Sequence, residues 1–260
     1  LVRTNGTASL LPNAVFSTAY DLANQQTGFA GSTLTYDQNG NLVNDGVSTY
    51  TWDARNRLIG ISGNVTASFS YDTLGRRSSR TINGTTTTFL YDGLTLVQET
   101  NGTTVTASLL SNLGLDDAFI RTDAGGNRVF LQDAIASTVA LADDAGAVST
   151  QYAYAPYGAT TQSGPGSTNT LKYTGREDDG SGLYYYRARY YHPTFQRFIS
   201  QDPLGFTAGD INTYNYVRNN PVRYTDPRGL FVPWIHRWIA RIALKAEGCS
   251  DEFSEQVANW

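Results

Sequence analysis

The sequence predicts an all-β fold in which stacked antiparallel hairpins form one continuous sheet, and three observations predict it. The chain of 260 residues contains 32 Thr and 25 Gly, which favour strands and tight turns respectively. An aromatic residue followed by Asp recurs at spacings of 16, 19 and 20 residues, starting at Tyr36, Trp52, Tyr71 and Tyr91. Alternating sequence follows these pairs, as over residues 86–91, and this period is typical of a half-buried strand.

Each repeat has the features of one hairpin. The aromatic residue ends a strand, and the Asp side chain accepts hydrogen bonds from nearby backbone N–H groups to start a turn. In the first repeat, Asp37 is followed by Asn39 and Gly40, which tolerate the positive φ of a tight turn. A lone hairpin is only marginally stable in water, so neighbouring hairpins are expected to stack into one sheet.

Four stretches of different composition divide the chain. Residues 1–33 are weakly patterned and are predicted to be lead-in strands, and residues 34–182 are predicted to be the repeat sheet. Residues 183–230 are dense in Tyr, Arg, Asn and Pro and contain two Asp-Pro-x-Gly segments. Residues 231–260 are predicted to be helical, because Pro233 suits a first helical position and apolar residues follow at helical spacing: Trp234, Ile235, Trp238, Ile239 and Ile242.

Composition excludes several classes of protein. The net charge of −4 argues against nucleic-acid binding, which needs a basic surface. A single cysteine, Cys249, excludes a disulfide framework, and His192 and His236 are too few for a Cys/His zinc site. No metal and no cofactor are therefore predicted. The absence of Met predicts a piece of a longer protein, and such a piece is expected to form an open sheet or to associate with the missing N-terminal part.

Residues 183–230 carry the most specific pattern in the chain. They read LYYYRARYYHP, then RFISQDPLG from Arg197, NTYNY from Asn212, NNP from Asn219 and DPRGL from Asp226. This stretch is very similar to the RHS repeat-associated core, and the aromatic-Asp pairs resemble the YD repeats of the same family. The resemblance covers roughly residues 34–230. One departure is visible, since Gln196 stands where the family usually has Gly, so a different local turn is expected there.

The resemblance implies a hollow spiral β-shell, of which this chain would be a C-terminal part with a short helical tail. In the family, the variable segment after the Asp-Pro-x-Gly-Leu motif is a polymorphic toxin that self-cleavage releases inside the shell. The matching scissile bond here is Leu230–Phe231. The matching catalytic residues are Asp202 and Asp226, helped by an upstream arginine best matched by Arg189.

The proposed chemistry suits two carboxylates, because a pair that shares one proton can both activate water and protonate the leaving amine. Such a pair titrates as a unit. Arg189 would stabilise negative charge or hold one carboxylate in place. Arg187 and Arg197 lie near it in sequence, which leaves the choice of arginine open. The high effective concentration of an adjacent substrate would allow one turnover by a modest catalyst.

Two other interpretations stay open at this stage. Asp-Pro-x-Gly is a common turn in which Asp caps the backbone, so the protein would then be a structural shell without an active protease. Alternatively, the chain is an adhesion or carbohydrate-binding YD-repeat protein that uses the tyrosines at 184–186, although such runs more often pack in a core. The partners implied by the resemblance are the chain's own C-terminal toxin segment, the remaining N-terminal shell, secretion-system components and an immunity protein. The implied location is that of a secreted or delivered bacterial effector, with cell-surface association left open.

Overall fold

The computed structural model describes residues 17–112, 114, 115, 117–230 and 250. They form three antiparallel sheets. The first is a small N-terminal sheet with strands in sequence order: β1 (Thr18–Tyr20), β2 (Gln26–Phe29) and β3 (Ser32–Thr33). Within the described part of the chain, no helix is long and apolar enough to cross a membrane.

The second sheet has 14 strands, each hydrogen-bonded to its neighbours in sequence. Its strands are β4 (Thr35–Tyr36), β5 (Leu42–Asn44), β6 (Thr49–Trp52), β7 (Leu58–Ser62), β8 (Ala67–Tyr71), β9 (Arg77–Ile82), β10 (Thr85–Asp92), β11 (Thr95–Asn101), β12 (Thr104–Ser111), β13 (Ala118–Asp123), β14 (Gly126–Gln132), β15 (Thr138–Ala142), β16 (Val148–Tyr154) and β17 (Thr160–Ser163). Among the described residues, β4 and β17 are edges that do not pair with each other. The sheet is therefore open, and the predicted all-β fold of stacked hairpins is confirmed.

The third sheet has four short strands, and one of them carries a residue of the candidate site. Its strands are β18 (Glu177–Asp178), β19 (Tyr184–Tyr186), β20 (Arg189–His192) and β21 (Arg197–Phe198). Three short 3-10 turns lie around it, at Tyr173–Gly175, Gly205–Ala208 and Val217–Asn219. The boundaries predicted at residues 33, 182 and 230 stay predictions, and the predicted C-terminal helix lies outside the described residues.

The repeat turns form as the sequence indicates. Oδ1 of Asp37 accepts hydrogen bonds from the N–H groups two and four residues later, at 2.9 and 2.8 Å, and Asp53 and Asp72 repeat this pattern. The position of positive φ is taken by Gly40 in the first turn and by Asn56 in the second. The fourth repeat differs, because Asp92 pairs with Thr95 across a tight hairpin instead.

The core lies between the large sheet and the 183–217 region. Alternation places Ala67 and Phe69 of β8 inside and Ser68 and Ser70 outside. The buried side of the early strands packs against the third sheet in one cluster: Leu34, Leu42, Tyr50, Leu58, Ile61, Ala67, Phe69, Leu183, Tyr185, Tyr190 and Ile199. This contact removes apolar side chains from water and so stabilises the docking of the two sheets.

The tyrosine run belongs to this core. Each of its side chains is at most 2% exposed, and the set is Tyr184, Tyr185, Tyr186, Tyr190 and Tyr191. Their hydroxyls reach partners inside the protein, as where Tyr191 donates to the carbonyl of Tyr157 at 2.9 Å. These rings therefore pack in the interior and do not present a surface for stacking a sugar.

A buried ion-pair cluster ties the large sheet to the third one. Arg77 of β9 is fully buried, pairs with Glu177 and Asp179, and lies over the ring of Tyr185 with its guanidinium carbon 4.3 Å from the centroid. Arg80 also pairs with Asp179. A buried charge is tolerated only when it is paired, so this cluster fixes how the two sheets dock.

The turn at Gln196 corrects one expectation. The sequence predicted a changed turn there because glycine is missing, but Gln196 adopts φ +60 and so keeps the left-handed conformation. This conformation costs a non-glycine residue roughly 1–2 kcal/mol. The neighbouring His192 stacks on Phe195 with ring centroids 3.8 Å apart, and burial lowers its pKa to about 4. His192 is thus a neutral packing residue of this turn.

Candidate functional site

The three residues singled out from the sequence meet at one buried point. Arg189 lies on β20, and Asp202 and Asp226 lie in the two Asp-Pro-x-Gly turns. Nη2 of Arg189 is 2.8 Å from Oδ2 of Asp202 and 3.5 Å from Oδ2 of Asp226. The exposed fractions are 2% for Arg189, 7% for Asp202 and 1% for Asp226.

In each aspartate, one carboxylate oxygen binds the backbone of its own turn and the other faces Arg189. Oδ1 of Asp202 accepts from the N–H of Leu204 at 2.9 Å, and Oδ1 of Asp226 accepts from the N–H of Leu230 at 2.9 Å. The turn-capping role is therefore correct for Oδ1, while Oδ2 of each residue faces Arg189. Because the caps hold both carboxylates, the turns orient these two oxygens toward the same cation.

Arg189 connects three segments of backbone and side chain. Its Nε donates to the carbonyl of Gly229 at 2.6 Å, and its Nη1 donates to the carbonyl of Thr213 at 2.9 Å. The guanidinium carbon lies 3.6 Å from the centroid of the Phe198 ring. The Thr213 carbonyl also accepts from the N–H of Asp202 at 3.0 Å. This network holds the guanidinium in one orientation against the two carboxylates.

Burial and charge act on the pKa values of Asp202 and Arg189 in opposite directions. Burial raises the pKa of Asp202, Arg189 opposes that rise, and the charge of Asp226 adds to it. Burial also lowers the pKa of Arg189, against the attraction of both carboxylates. Asp202 is therefore expected to keep its proton to higher pH than an ordinary Asp.

The segment 226–230 lies along the tip of the β19–β20 hairpin. The N–H of Ala188 donates to the carbonyl of Arg228 at 3.2 Å, and Arg187 and Arg176 both donate to the carbonyl of Pro227. Gly229 has φ +68, and a Cβ at this position would clash with the carbonyl oxygen of Tyr186. The backbone carbonyls of residues 227, 228 and 229 thus all accept hydrogen bonds from residues outside the segment.

Leu230 borders a pocket of about 310 Å³ between turns of the large sheet and the β19–β20 hairpin. Apolar and basic side chains line it together, among them Leu74, Leu94, Leu96, Leu171, Arg187 and Arg228. The Leu230 N–H is fixed by Asp226, whereas Phe231 lies outside the described residues.

The three candidate arginines lie in different surroundings, and the role of Arg189 in catalysis stays a prediction. Arg189 contacts both aspartates, Arg187 holds the Pro227 carbonyl, and Arg197 donates to the carbonyl of Asn24 at 2.9 Å. Burial lowers the pKa of Arg176 to about 9, and the charge of Arg187 beside it adds to the shift.

Sequence reasoning missed four contributors to the site. They are Arg176, Phe198, the Thr213 carbonyl and the Ala188 N–H. A backbone carbonyl or N–H carries no sequence signal, and Phe198 was visible only as part of a family motif. Among the described residues, no group of three or more His, Cys, Asp or Glu side chains is arranged to hold a metal ion.

Comparisons with known proteins agree on the fold and on the family. The model of the Teneurin YD-shell family matches residues 7–222. The chain is 33% identical over 232 residues to the tRNA nuclease WapA of Bacillus subtilis, covering 84% of this chain and 10% of WapA. It is 44% identical over 93 residues to the toxin subunit YenC2 of Yersinia entomophaga, covering 34% of this chain and 10% of YenC2.

Among solved structures, the Tc holotoxin pore of Photorhabdus luminescens superimposes with a TM-score of 0.65 at 23% identity, covering 83% of this chain and 13% of that chain. This likeness supports the shell-type β fold. The chain spans about a tenth of the length of the curated relatives it matches.

Proposed function

The chain belongs to the Teneurin YD-shell family, to which the RHS proteins belong, and from this premise we propose that it cuts itself between Leu230 and Phe231. It would thereby act as the C-terminal part of a bacterial RHS toxin shell that releases its effector. The observation that carries the proposal is the contact of one buried arginine, Arg189, with both aspartates.

The proposed reaction is hydrolysis by an aspartate pair. The ionised carboxylate of the pair accepts a proton from a water molecule, and the oxygen of that water attacks the carbonyl carbon of Leu230. The protonated member, for which the raised pKa favours Asp202, donates its proton to the departing amine of Phe231. Water is consumed, the peptide bond breaks, and the products are a carboxylate at Leu230 and an amine at Phe231.

The substrate is part of the same chain, which reduces what the catalyst must achieve. Asp226 lies four residues before Leu230 and already accepts a hydrogen bond from its N–H at 2.9 Å. Reactants held in this way reach effective concentrations of ~10⁵–10⁸ M. A site that turns over once therefore needs no binding pocket for an incoming protein.

The relatives support a role in toxin delivery. WapA is named a tRNA nuclease and YenC2 a toxin subunit, and the matched region is about a tenth of each protein. In this proposal the region after Leu230 is the start of an effector, and the remaining N-terminal shell is a partner. The protein is then a secreted or delivered bacterial effector, while an immunity protein and secretion-system components stay predictions.

The test is the mass of the expressed chain. We expect wild-type protein to yield fragments that end at Leu230 and begin at Phe231, and Asp202→Asn and Asp226→Asn to remain intact. Asp143→Asn is the matched control, because Asp143 caps an Asp-x-x-Gly turn through Oδ1 at 3.0 and 2.9 Å far from the site. Mass also separates this product from acid hydrolysis of the Asp226–Pro227 bond.

Two outcomes would contradict the proposal. An intact wild-type chain after prolonged incubation would favour a structural shell, in which the Asp202 and Asp226 caps serve the turns alone. Cleavage that proceeds equally in both Asn variants would show that the aspartate pair is not the catalyst.

A further inference from the structure

The first repeat turn, residues 37–41, packs against the loops of the candidate site although it lies more than 150 residues earlier in the chain. Tyr214 Oη donates to the carbonyl of Gly40 at 2.7 Å, and the Tyr214 side chain is fully buried. A Cβ on Gly40 would lie 2.5 Å from both Gln201 Nε2 and Tyr214 Oη. A side chain at Gly40 therefore requires both of these groups to move.

Both residues that touch Gly40 are chain neighbours of the site. Gln201 directly precedes Asp202. Tyr214 directly follows Thr213, whose carbonyl accepts from the N–H of Asp202 at 3.0 Å and from Arg189 at 2.9 Å. The packing at Gly40 is therefore connected to Asp202 in two ways. Gln201 is bonded to Asp202 along the backbone, and Tyr214 is bonded to Thr213, whose carbonyl binds both Asp202 and Arg189.

Further contacts anchor the same turn to the loop before Asp202. The N–H of Leu42 donates to the carbonyl of Ile199 at 2.8 Å, and Tyr36 packs edge-on against Tyr214 with ring centroids 5.8 Å apart. Asp226 and the segment that follows it are held instead by the β19–β20 hairpin. Of the two aspartates, Asp202 is the one that the repeat region positions.

A later turn of the same type shows that this packing is not a general property of the repeats. Gly146 ends the turn that Asp143 caps, with φ +80 against +77 at Gly40, and its N–H donates to the Asp143 carbonyl at 2.9 Å just as Gly40 donates to Asp37 at 3.1 Å. A Cβ on Gly146 meets nothing within 4 Å. The two glycines thus share one conformation and differ in what surrounds them.

We propose that the first repeat turn is a positioning element of the self-cleaving site, in which Gly40 allows Gln201 and Tyr214 to hold Asp202 against Arg189. This inference rests on the proposed function. Its consequence is that the site is complete only once the repeat sheet has docked on the 183–230 region. Cleavage then follows the folding of the repeats and does not precede it.

The experiment compares Gly40→Ala with Gly146→Ala in the full 260-residue chain, synthesised without cells in a short labelled pulse and followed to the cut product. Both substitutions place Ala at the same positive φ, and Gly40→Ala adds a close contact, so it is expected to lower the unfolding midpoint more than Gly146→Ala does. Gly40→Ala is expected to slow cleavage about 100-fold, the typical cost of misplacing a reacting group by about 1 Å. Gly146→Ala is expected to cleave at the wild-type rate.

A pH profile separates positioning from general destabilisation. Arg189 lowers the pKa of Asp202 against the effect of burial, so moving Asp202 away from Arg189 raises that pKa further. The pH above which cleavage declines is therefore expected to shift upward in Gly40→Ala and to stay unchanged in Gly146→Ala. Tyr214→Phe removes only the hydroxyl bonded to Gly40, and it serves as the test if Gly40→Ala does not fold.

The outcomes distinguish this inference from the proposed function. If the wild type cleaves and Asp202→Asn does not, but Gly40→Ala matches Gly146→Ala in rate and pH profile, the inference is wrong and the proposed function stands. If Gly40→Ala fails to fold and Tyr214→Phe cleaves like the wild type, the inference is wrong as well. If Asp202→Asn cleaves as fast as the wild type, both are wrong.

Discussion

The two Asp-Pro-x-Gly turns share a sequence motif and differ in how the fold holds them. The turn at Asp202 is fixed by the Thr213 carbonyl and, through Gln201 and Tyr214, by the first repeat turn. The turn at Asp226 is fixed by the tip of the β19–β20 hairpin and leads directly into Leu230. One turn therefore supplies a carboxylate, whereas the other supplies a carboxylate and the proposed substrate.

This difference shows why a motif alone does not define a site. In both turns, Oδ1 does what aspartate does in any such turn, and only the position of Arg189 gives the Oδ2 atoms a common partner. Each half of the pair depends on a different part of the chain. Substitutions in one half should therefore be distinguishable from substitutions in the other.

Removing the shared arginine should have the largest effect, because it affects both turns at once. We expect Arg189→Met to lower the free energy of unfolding by about 3–5 kcal/mol, the usual cost of removing one partner of a buried ion pair. Cleavage should stop as well. Denaturant unfolding measures the first effect and intact mass the second.

Arg197→Met is the control for this substitution. Arg197 is also buried and donates to a backbone carbonyl, but within the described residues it pairs with no carboxylate. Its loss should cost clearly less than the loss of Arg189. Equal losses of stability would mean that the ion pairs to Asp202 and Asp226 contribute little.

Substitution of the glycine in each Asp-Pro-x-Gly motif should have different effects in the two turns. Gly205 and Gly229 both have positive φ, at +56 and +68. A Cβ on Gly205 meets nothing within 4 Å, whereas a Cβ on Gly229 would clash with Tyr186 and lie 3.1 Å from the backbone nitrogen of Arg189. Gly205→Ala should therefore cost about 1–2 kcal/mol of stability, and Gly229→Ala should cost more and slow cleavage about 100-fold.

Thermal unfolding and the time course of cleavage measure these two effects. If the two Ala variants behave alike, the close packing of the segment 226–230 on the hairpin tip is not what distinguishes the turns. A larger loss of cleavage in Gly205→Ala would reverse the comparison and assign the stricter geometry to the Asp202 side.

The sequence could predict the repeat turns and their hairpins. Repeat turns such as that of Asp37 depend on residues within four positions of one another, so their hairpins can be inferred from spacing alone. Asp202, Asp226 and Arg189 were identified by resemblance to a family, and their roles stay proposals. The contact of Gly40 with Tyr214 could not be predicted, because it joins positions 174 residues apart through a carbonyl and the absence of a side chain.

The pH dependence of cleavage should report the proton that Asp202 holds. Burial raises the pKa of Asp202, so this residue keeps its proton to higher pH than an exposed Asp. As the pH rises through that pKa, the pair loses its only proton and with it the acid for the leaving amine. We therefore expect the cleavage rate to fall toward alkaline pH, and a rate that rises over the same interval would assign the proton to another group.

The smallest expected effect is on the Asp202 side, in the turn between β20 and β21. Gln196 holds φ +60 without being glycine, and this strain costs roughly 1–2 kcal/mol. Gln196→Gly relieves the strain but adds about 0.4–1 kcal/mol of unfolded-chain entropy, so a net gain of about 0.5–1 kcal/mol in unfolding free energy is expected. Asn24→Gly is the matched control, because Asn24 also has φ +60 and Asn adopts this conformation far more readily. A gain in Gln196→Gly with none in Asn24→Gly would show that the fold tolerates a strained residue at position 196.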